Sequence, residues 1–297
     1  MLNRRKLLTS AIPAAAGFAL LRCSAIASDT STRKFEQEVA LLEKKSGGRL
    51  GVSVLDQKSG ALIGHRLNER FPMCSTFKLM AAAAILRRAD ERHEQLDRVV
   101  HYTKADLLAH SPITEQHLAT GMALRDICEA AVTDSDNCAA NQMLAALGGP
   151  AGVTAFARAL GDRMTRLDRT ELSLDTAIPG DPRDTTTPAA TAHNLRALVF
   201  GDALQPASRD LLIRWMRACT TGSARLHAGL PADWVEGDKT GTGNTGTGTA
   251  NDIAVLWPPS RPPIVAAVYL TQSKLDADGQ NAVLADVGRL IATHFSA

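Results

Sequence analysis

Ser75 and Lys78 stand three positions apart in Pro72-Met73-Cys74-Ser75-Thr76-Phe77-Lys78, which runs into the apolar stretch Leu79-Met80-Ala81-Ala82-Ala83-Ala84-Ile85-Leu86. A proline at the boundary, a small hydroxyl residue and an Ala/Leu-rich run predict the start of a buried helix. Residues three apart share a helix face, which sets the Ser75 hydroxyl beside the Lys78 amine. The helix N-terminus adds unpaired N–H groups and the positive end of its dipole, favouring negative charge that develops near Ser75. A serine beside an amine able to give up its proton is an activated nucleophile. Spacing alone does not decide this, because Ser31-Thr32-Arg33-Lys34 repeats it in a polar stretch with nothing apolar to bury it.

Two more polar clusters interrupt patterned surroundings. Ser135-Asp136-Asn137 lies inside the otherwise apolar stretch 127–147, where three short polar residues suit a helix start or a tight connection. A plain helix cap is the other reading. Lys239-Thr240-Gly241 falls on a predicted strand, where lysine and glycine are disfavoured unless a ligand or backbone approaches closely. Lys45-Ser46-Gly47 and Lys58-Ser59-Gly60 look similar but read as turns. Order separates signal from decoy: Ser135 lies 60 residues beyond Ser75, and Lys239 lies 104 beyond Ser135.

The elements that must position these groups follow from periodicity. Residues 34–45 have helical spacing and end at Gly47-Gly48, and 50–55 and 61–66 form a hairpin around Lys58-Ser59-Gly60. Helix signals dominate 73–217, including 123–147 and 191–200. Strands return at 235–241, 251–257 and 264–271, followed by a closing helix over 282–295. This order predicts an α/β (α+β) fold. Residues 30–72 plus 218–297 form one domain of sheet and terminal helices, interrupted by an all-α domain over 73–217.

With 297 residues and 45% hydrophobic content the chain can bury a sizeable core. Residues 1–27 read as an export leader: a basic Arg4-Arg5-Lys6 start, an apolar stretch too short to span a membrane, and Ala25-Ile26-Ala27 as a cleavage site. The paired arginines fit either the twin-arginine or the general export route. Losing this leader changes the formal charge from +2 to −2, which weakens any nucleic-acid reading, so no nucleic-acid partner is expected, and no later segment predicts membrane association. The remaining cysteines, Cys74, Cys128, Cys138 and Cys219, show neither CxxC pairing nor zinc spacing, so buried free thiols and no metal site are expected. No cofactor motif survives either. Gly241-Thr242-Gly243-Asn244-Thr245-Gly246 matches GxGxxG but precedes a strand and no helix.

The SxxK, SDN and KTG motifs in this order resemble those of class A serine β-lactamases. Arg169-Thr170-Glu171-Leu172-Ser173-Leu174-Asp175 with Arg183-Asp184 resembles their omega loop, here about 169–184. The likeness covers roughly 35–295 and includes Ser111-Pro112, Asn141 and the Asn251-Asp252 strand. It implies a monomeric periplasmic enzyme that hydrolyses small-molecule β-lactams. Ser75 attacks the lactam carbonyl, and Lys78 and Glu171 handle its proton, with the acylation base left open. The N–H groups of Ser75 and Thr242 form an oxyanion hole. Ser135 protonates the leaving nitrogen, and Lys239, beside Thr240 and Gly241, holds Ser135 and attracts the substrate carboxylate. Asn137 bonds the acyl side chain, and Glu171 with Asn141 and Asp175 positions the hydrolytic water. Arg225 is implied as a second carboxylate anchor, His110 as either a stacking residue at the cleft mouth or merely exposed, and the Glu171–Leu172 peptide as cis.

Related readings differ at single features. A D,D-peptidase carries the three motifs without a deacylating carboxylate, so Glu171 argues against it. A β-lactam sensor domain needs a membrane connection. No GxSxG or HExxH occurs, which disfavours an α/β-hydrolase or a zinc β-lactamase. Gly243 opposite Cys74 removes the disulfide that the resemblance associates with carbapenem turnover, so penicillins and cephalosporins are the expected substrates.

Overall fold

A computed structural model describes residues 16–296. Of the sequence-predicted leader, residues 1–15 lie outside the described residues. Helix α1 (Ala16–Ser46) begins well before the expected residue 34, since no proline or glycine interrupts the chain from 18 to 46. It stops at Gly47, whose φ of 65° is the left-handed conformation that ends helices cheaply with glycine.

Strands β1 (Arg49–Asp56) and β2 (Leu62–His65) form the expected hairpin, and the short β3 (Phe71–Pro72) leads to a 3₁₀ turn at Cys74–Thr76. Helix α2 (Phe77–Asp90) follows and is buried over all of 77–86, Lys78 included. A helix that is apolar on every side belongs at the centre of a helical layer. Past the short β4 (Val99–Val100) and β5 (Met122–Ala123), α2 is surrounded by α3 (Leu124–Thr133), α4 (Asn137–Ala146) and α5 (Pro150–Ala159). The predicted helical stretch 123–147 is therefore two helices. Ser135, at φ 59°, breaks it, and the Asp136 carboxylate caps α4 by accepting from Ala139 N at 2.8 Å. The loop after α5 returns through β6 (Thr185–Thr186), which pairs with β3, and α6 (Pro188–Val199), α7 (Pro206–Arg217) and the single turn α8 (Leu226–Gly229) complete the helical part.

Strands β7 (Val235–Thr242), β8 (Ala250–Trp257) and β9 (Ile264–Thr271) then join the hairpin in one antiparallel sheet of order β2-β1-β9-β8-β7, and α9 (Ala277–Phe295) closes the described chain. Side chains alternate between two cores, as strand geometry requires. On β9, Ile264, Ala266, Val268 and Leu270 pack toward α1 and α9 with Phe35, Val39 and Val287. Val265, Ala267 and Tyr269 face the helical layer around Phe77 and Leu79. Each such apolar side chain, fully buried, contributes roughly 1.5–3 kcal/mol, so a sheet covered on both faces is a stiff platform. Its edge strand β7 is covered by the 3₁₀ turn: a Cβ on Gly241 would lie 2.7 Å from Met73 O. Asn251 on β8 reaches past β7 and donates to the carbonyls of Pro72 (2.9 Å) and Met73 (3.0 Å), fastening the turn to the sheet.

Candidate active site

The turn that precedes α2 carries Ser75, directly after Cys74 at φ 46°. A left-handed non-glycine residue is uncommon and is held here by its buried surroundings. Ser75 Oγ donates to Glu171 Oε1 at 3.2 Å, and Lys78 Nζ lies 3.0 Å from the same oxygen. The expected side-by-side pair thus converges on one carboxylate oxygen. Lys78, with no exposed surface, also donates to Ser135 O at 2.8 Å and Asn137 Oδ1 at 2.6 Å.

Ser135 sits between two lysines. Its Oγ accepts from Lys239 Nζ at 3.0 Å and, more weakly, from Lys78 Nζ at 3.4 Å. A hydroxyl has two acceptor lone pairs and one donor, so with both lone pairs engaged the Ser135 hydrogen is left to be given away. Lys239 also donates to Thr240 O at 2.8 Å. Its complete burial, then the neighbouring Lys78 charge, lower its pKa to about 8.

Glu171 is brought here by the loop that ends at β6. Asn141 holds its backbone from both sides, accepting from Glu171 N at 3.0 Å and donating to Glu171 O at 3.1 Å. Asp184 fixes the base of the loop: its carboxylate accepts from Asp168 N (2.7 Å), Arg169 N (2.9 Å) and Arg169 Nε (2.5 Å). Its carbonyl accepts from Met73 N at 2.9 Å, joining the loop to the nucleophile turn. The Glu171–Leu172 peptide is cis. Asp175 lies buried beside Glu171, and burial together with that neighbour raises its pKa to about 8. The Ser75, Lys78, Ser135, Glu171 and Lys239 side chains expected from sequence to cooperate meet in one polar cluster beside the sheet edge. The β-lactamase enzyme family model matches residues 34–295.

The chain belongs to the β-lactamase enzyme family. It is 49% identical to β-lactamase AST-1 of Nocardia asteroides over 97% of this chain and 95% of that one. It is also 49% identical to β-lactamase CTX-M-8 of Citrobacter amalonaticus over 86% and 87% of the two chains. Among solved structures, an ancestral class A β-lactamase superposes with a TM-score of 0.86 at 60% identity, over 88% of this chain and all of that one. The chain is a class A β-lactamase in fold and family.

The remaining sequence-selected residues of this β-lactamase take more indirect places. Arg225 is 8% exposed and stands behind β7. Its Nη1 donates to Gly241 O (2.8 Å) and Asn251 O (2.6 Å), its Nη2 to Thr242 Oγ1 (2.6 Å) and its Nε to Asn281 Oδ1 (3.1 Å). The guanidinium expected to anchor a carboxylate directly is therefore engaged by the protein itself, with the exposed Thr242 among its acceptors. Thr240 Oγ1 shares a 2.6 Å hydrogen bond with Thr221 Oγ1. Asn137 Nδ2 spends one hydrogen on Ala109 O at 2.7 Å and keeps the other. The His110 ring is exposed, with Nε2 2.8 Å from Asp134 O. Cys74, Cys128, Cys138 and Cys219 are free thiols. Among the described residues no cluster of three His, Cys, Asp or Glu side chains is placed to hold a metal, and no helix is long and apolar enough to cross a membrane.

Sequence reasoning missed two supports. Asp136 accepts from Ile113 N, Thr114 N and Thr114 Oγ1 as well as Ala139 N, so it ties residues 113–114 to the start of α4. Asn251 stands out in the sequence only through the resemblance of its strand, which does not reveal its clasp on the turn. A buried acid inside a motif was the available signal for Asp136; nothing local marks Asn251.

Proposed function

We propose that this β-lactamase opens penicillins and cephalosporins through an ester on Ser75 and frees itself with a water activated by Glu171. The observation that carries the reading is the shared oxygen, Glu171 Oε1, within reach of both Ser75 Oγ and Lys78 Nζ in a buried site. In acylation the Ser75 proton passes to Glu171 Oε1, its existing hydrogen-bond partner, while Lys78 steadies the charge. The lactam carbonyl carbon gains the Ser75 oxygen, and its oxyanion is received by the N–H groups of Ser75 and Thr242, a contact worth about 3–4 kcal/mol. Collapse breaks the C–N bond, and Ser135, held by Lys239, delivers its hydrogen to the leaving nitrogen and takes one from Lys78, which Glu171 reprotonates, so that Glu171 is a carboxylate again. Lys239, Thr240 and Thr242 receive the substrate carboxylate, and the second Asn137 N–H meets the acyl side chain. In deacylation Glu171 takes a proton from water as the water oxygen bonds to the ester carbon, and that proton goes to the Ser75 oxygen as the ester C–O bond breaks.

Carbapenems are the poorer substrates in this reading. Cys74 has no cysteine opposite, and Gly243 leaves no room for one, since a Cβ there would lie 2.5 Å from Thr247 Oγ1. We also infer a monomer exported to the periplasm, by the twin-arginine or general route, on the strength of Arg4-Arg5-Lys6 and Ala25-Ile26-Ala27. The division into a sheet domain (30–72 plus 218–297) and a helical domain (73–217) fits a cleft between them. The test is turnover of a chromogenic cephalosporin by the mature protein beside Ser75→Ala and Glu171→Gln. Ser75→Ala is expected to be inactive and Glu171→Gln to stall as a covalent adduct visible by intact mass. Turnover by Ser75→Ala would overturn the assignment.

A further inference from the structure

Two buried oxygens at the heart of the site lack a donor. Glu171 Oε2 and Asp175 Oδ1 have no hydrogen-bond partner among the described residues, although the two residues are only 5% and 6% exposed. The two acids are buried neighbours, and Asp175 feels the charge of Glu171. If both were ionised, two buried carboxylates would oppose each other; a single hydrogen between them removes that repulsion. The charges around the pair allow that hydrogen. From α2, Lys78 contributes one positive charge, at Glu171 Oε1. From the nucleophile turn, the buried Cys74 thiol stays protonated, because burial and the charges of the two acids raise its pKa well above the usual thiol value. Arg169, on the same loop, is committed to Asp184 and Thr176. Asn244 N reaches the Asp175 carbonyl and not its carboxyl.

We propose that Glu171 and Asp175 hold one proton between them, carried on Asp175 Oδ1 and donated to Glu171 Oε2, and that this hydrogen keeps Glu171 aimed during deacylation. Asp175 is then a positioning residue: it occupies one oxygen of the base so that the other stays directed at the Ser75 side. The proposal rests on Glu171 being the deacylation base. Its consequence is an alkaline loss of function. Burial and the adjacent Glu171 place the departure of this proton near pH 8, above which two buried negative charges oppose each other. An asparagine at 175 would offer an N–H in the same direction at every pH.

The test follows decay of the Ser75 ester of a slowly processed cephalosporin in single turnovers from about pH 6 to about pH 9.5, for the wild type, Asp175→Asn and Asp175→Ala. Loss of one proton predicts that wild-type deacylation falls about tenfold per pH unit above roughly pH 8. Asp175→Asn is expected to lose that fall, and Asp175→Ala to deacylate slowly throughout. Infrared difference spectra of the wild type against Asp175→Asn should show a protonated-carboxyl band at pH 7 that vanishes along the same curve. A wild-type alkaline fall retained in Asp175→Asn, or no such band, overturns the shared proton. Wild-type deacylation by Glu171→Gln would instead overturn the underlying role of Glu171.

Discussion

Truncating Arg225 to alanine removes the tie that joins β7, β8 and α9. Its four donated bonds, to Gly241 O, Asn251 O, Thr242 Oγ1 and Asn281 Oδ1, span 2.6–3.1 Å. Two buried acids also feel its charge, Asp252 first and then Asp238. Removing one side of a buried charged network costs about 3–5 kcal/mol, because the groups left behind stay desolvated. Part of this is offset, since burial already holds both acids above the usual carboxylate range and they can take up protons. The lower end, about 3 kcal/mol, is therefore expected, which for a chain of this size lowers Tm by about 6–12 °C. Thermal and urea unfolding measure that loss. Steady-state kinetics on a cephalosporin and on its carboxyl ester separate it from a substrate effect. If Arg225 reaches the substrate through Thr242, Thr242→Ala alone should weaken kcat/KM for the free acid with little change in Tm. It should add less in the Arg225→Ala background than in the wild type. An Arg225→Ala protein with wild-type Tm would refute the tie, and fully additive kinetics would refute the route through Thr242.

Lys239 loses its charge as pH rises through about 8, so kcat/KM for carboxylate-bearing substrates should fall above that pH. Lys239→Arg should move the fall upward, and an unmoved limb would exclude Lys239 as its source. The folded Asp175 keeps a proton, up to about pH 8, that the unfolded chain releases near pH 4. The folded state thus binds more protons in that window, and stability should decline across it by at most about 1.4 kcal/mol per pH unit. Asp175→Asn removes this decline, so its advantage over the wild type in urea titrations should widen from pH 4 to 8; a constant gap would count against the raised pKa. Gly241→Ala sets a Cβ 2.7 Å from Met73 O and 3.2 Å from Thr76 N, so it should displace the nucleophile turn and depress kcat far more than it depresses Tm. Equal effects on a control residue elsewhere on β7 would argue otherwise.

Elements with a strong period were legible in the sequence. The 264–271 strand is the observed β9 to the residue, because a strand buried on both faces reads as an unbroken apolar run. The join at Ser135 was ambiguous for a physical reason: a cap and a break use the same short polar side chains, and here Asp136 caps while Ser135 turns. Arg225 misled because a guanidinium's reach can be guessed from sequence but not what occupies it. Its four acceptors come from residues 16 to 56 positions away. The orphaned oxygens of Glu171 and Asp175 were foreshadowed only as two acids four positions apart; which of their atoms lack donors depends on packing no local pattern encodes.

The strand order has a consequence for how the protein is made. β1 lies in the sheet between β2 and β9, and its eight residues register against β9 from Arg49↔Thr271 to Asp56↔Ile264. A chain emerging N-terminus first therefore presents one unpaired side of β1 until about 270 residues have been synthesised. During that interval an apolar strand with open N–H and C=O groups is a template for pairing with another chain. Neither end of the molecule can finish folding without the other. A chain cut short before β9 should emerge as an aggregating fragment, with Ser75 present and no sheet to hold it.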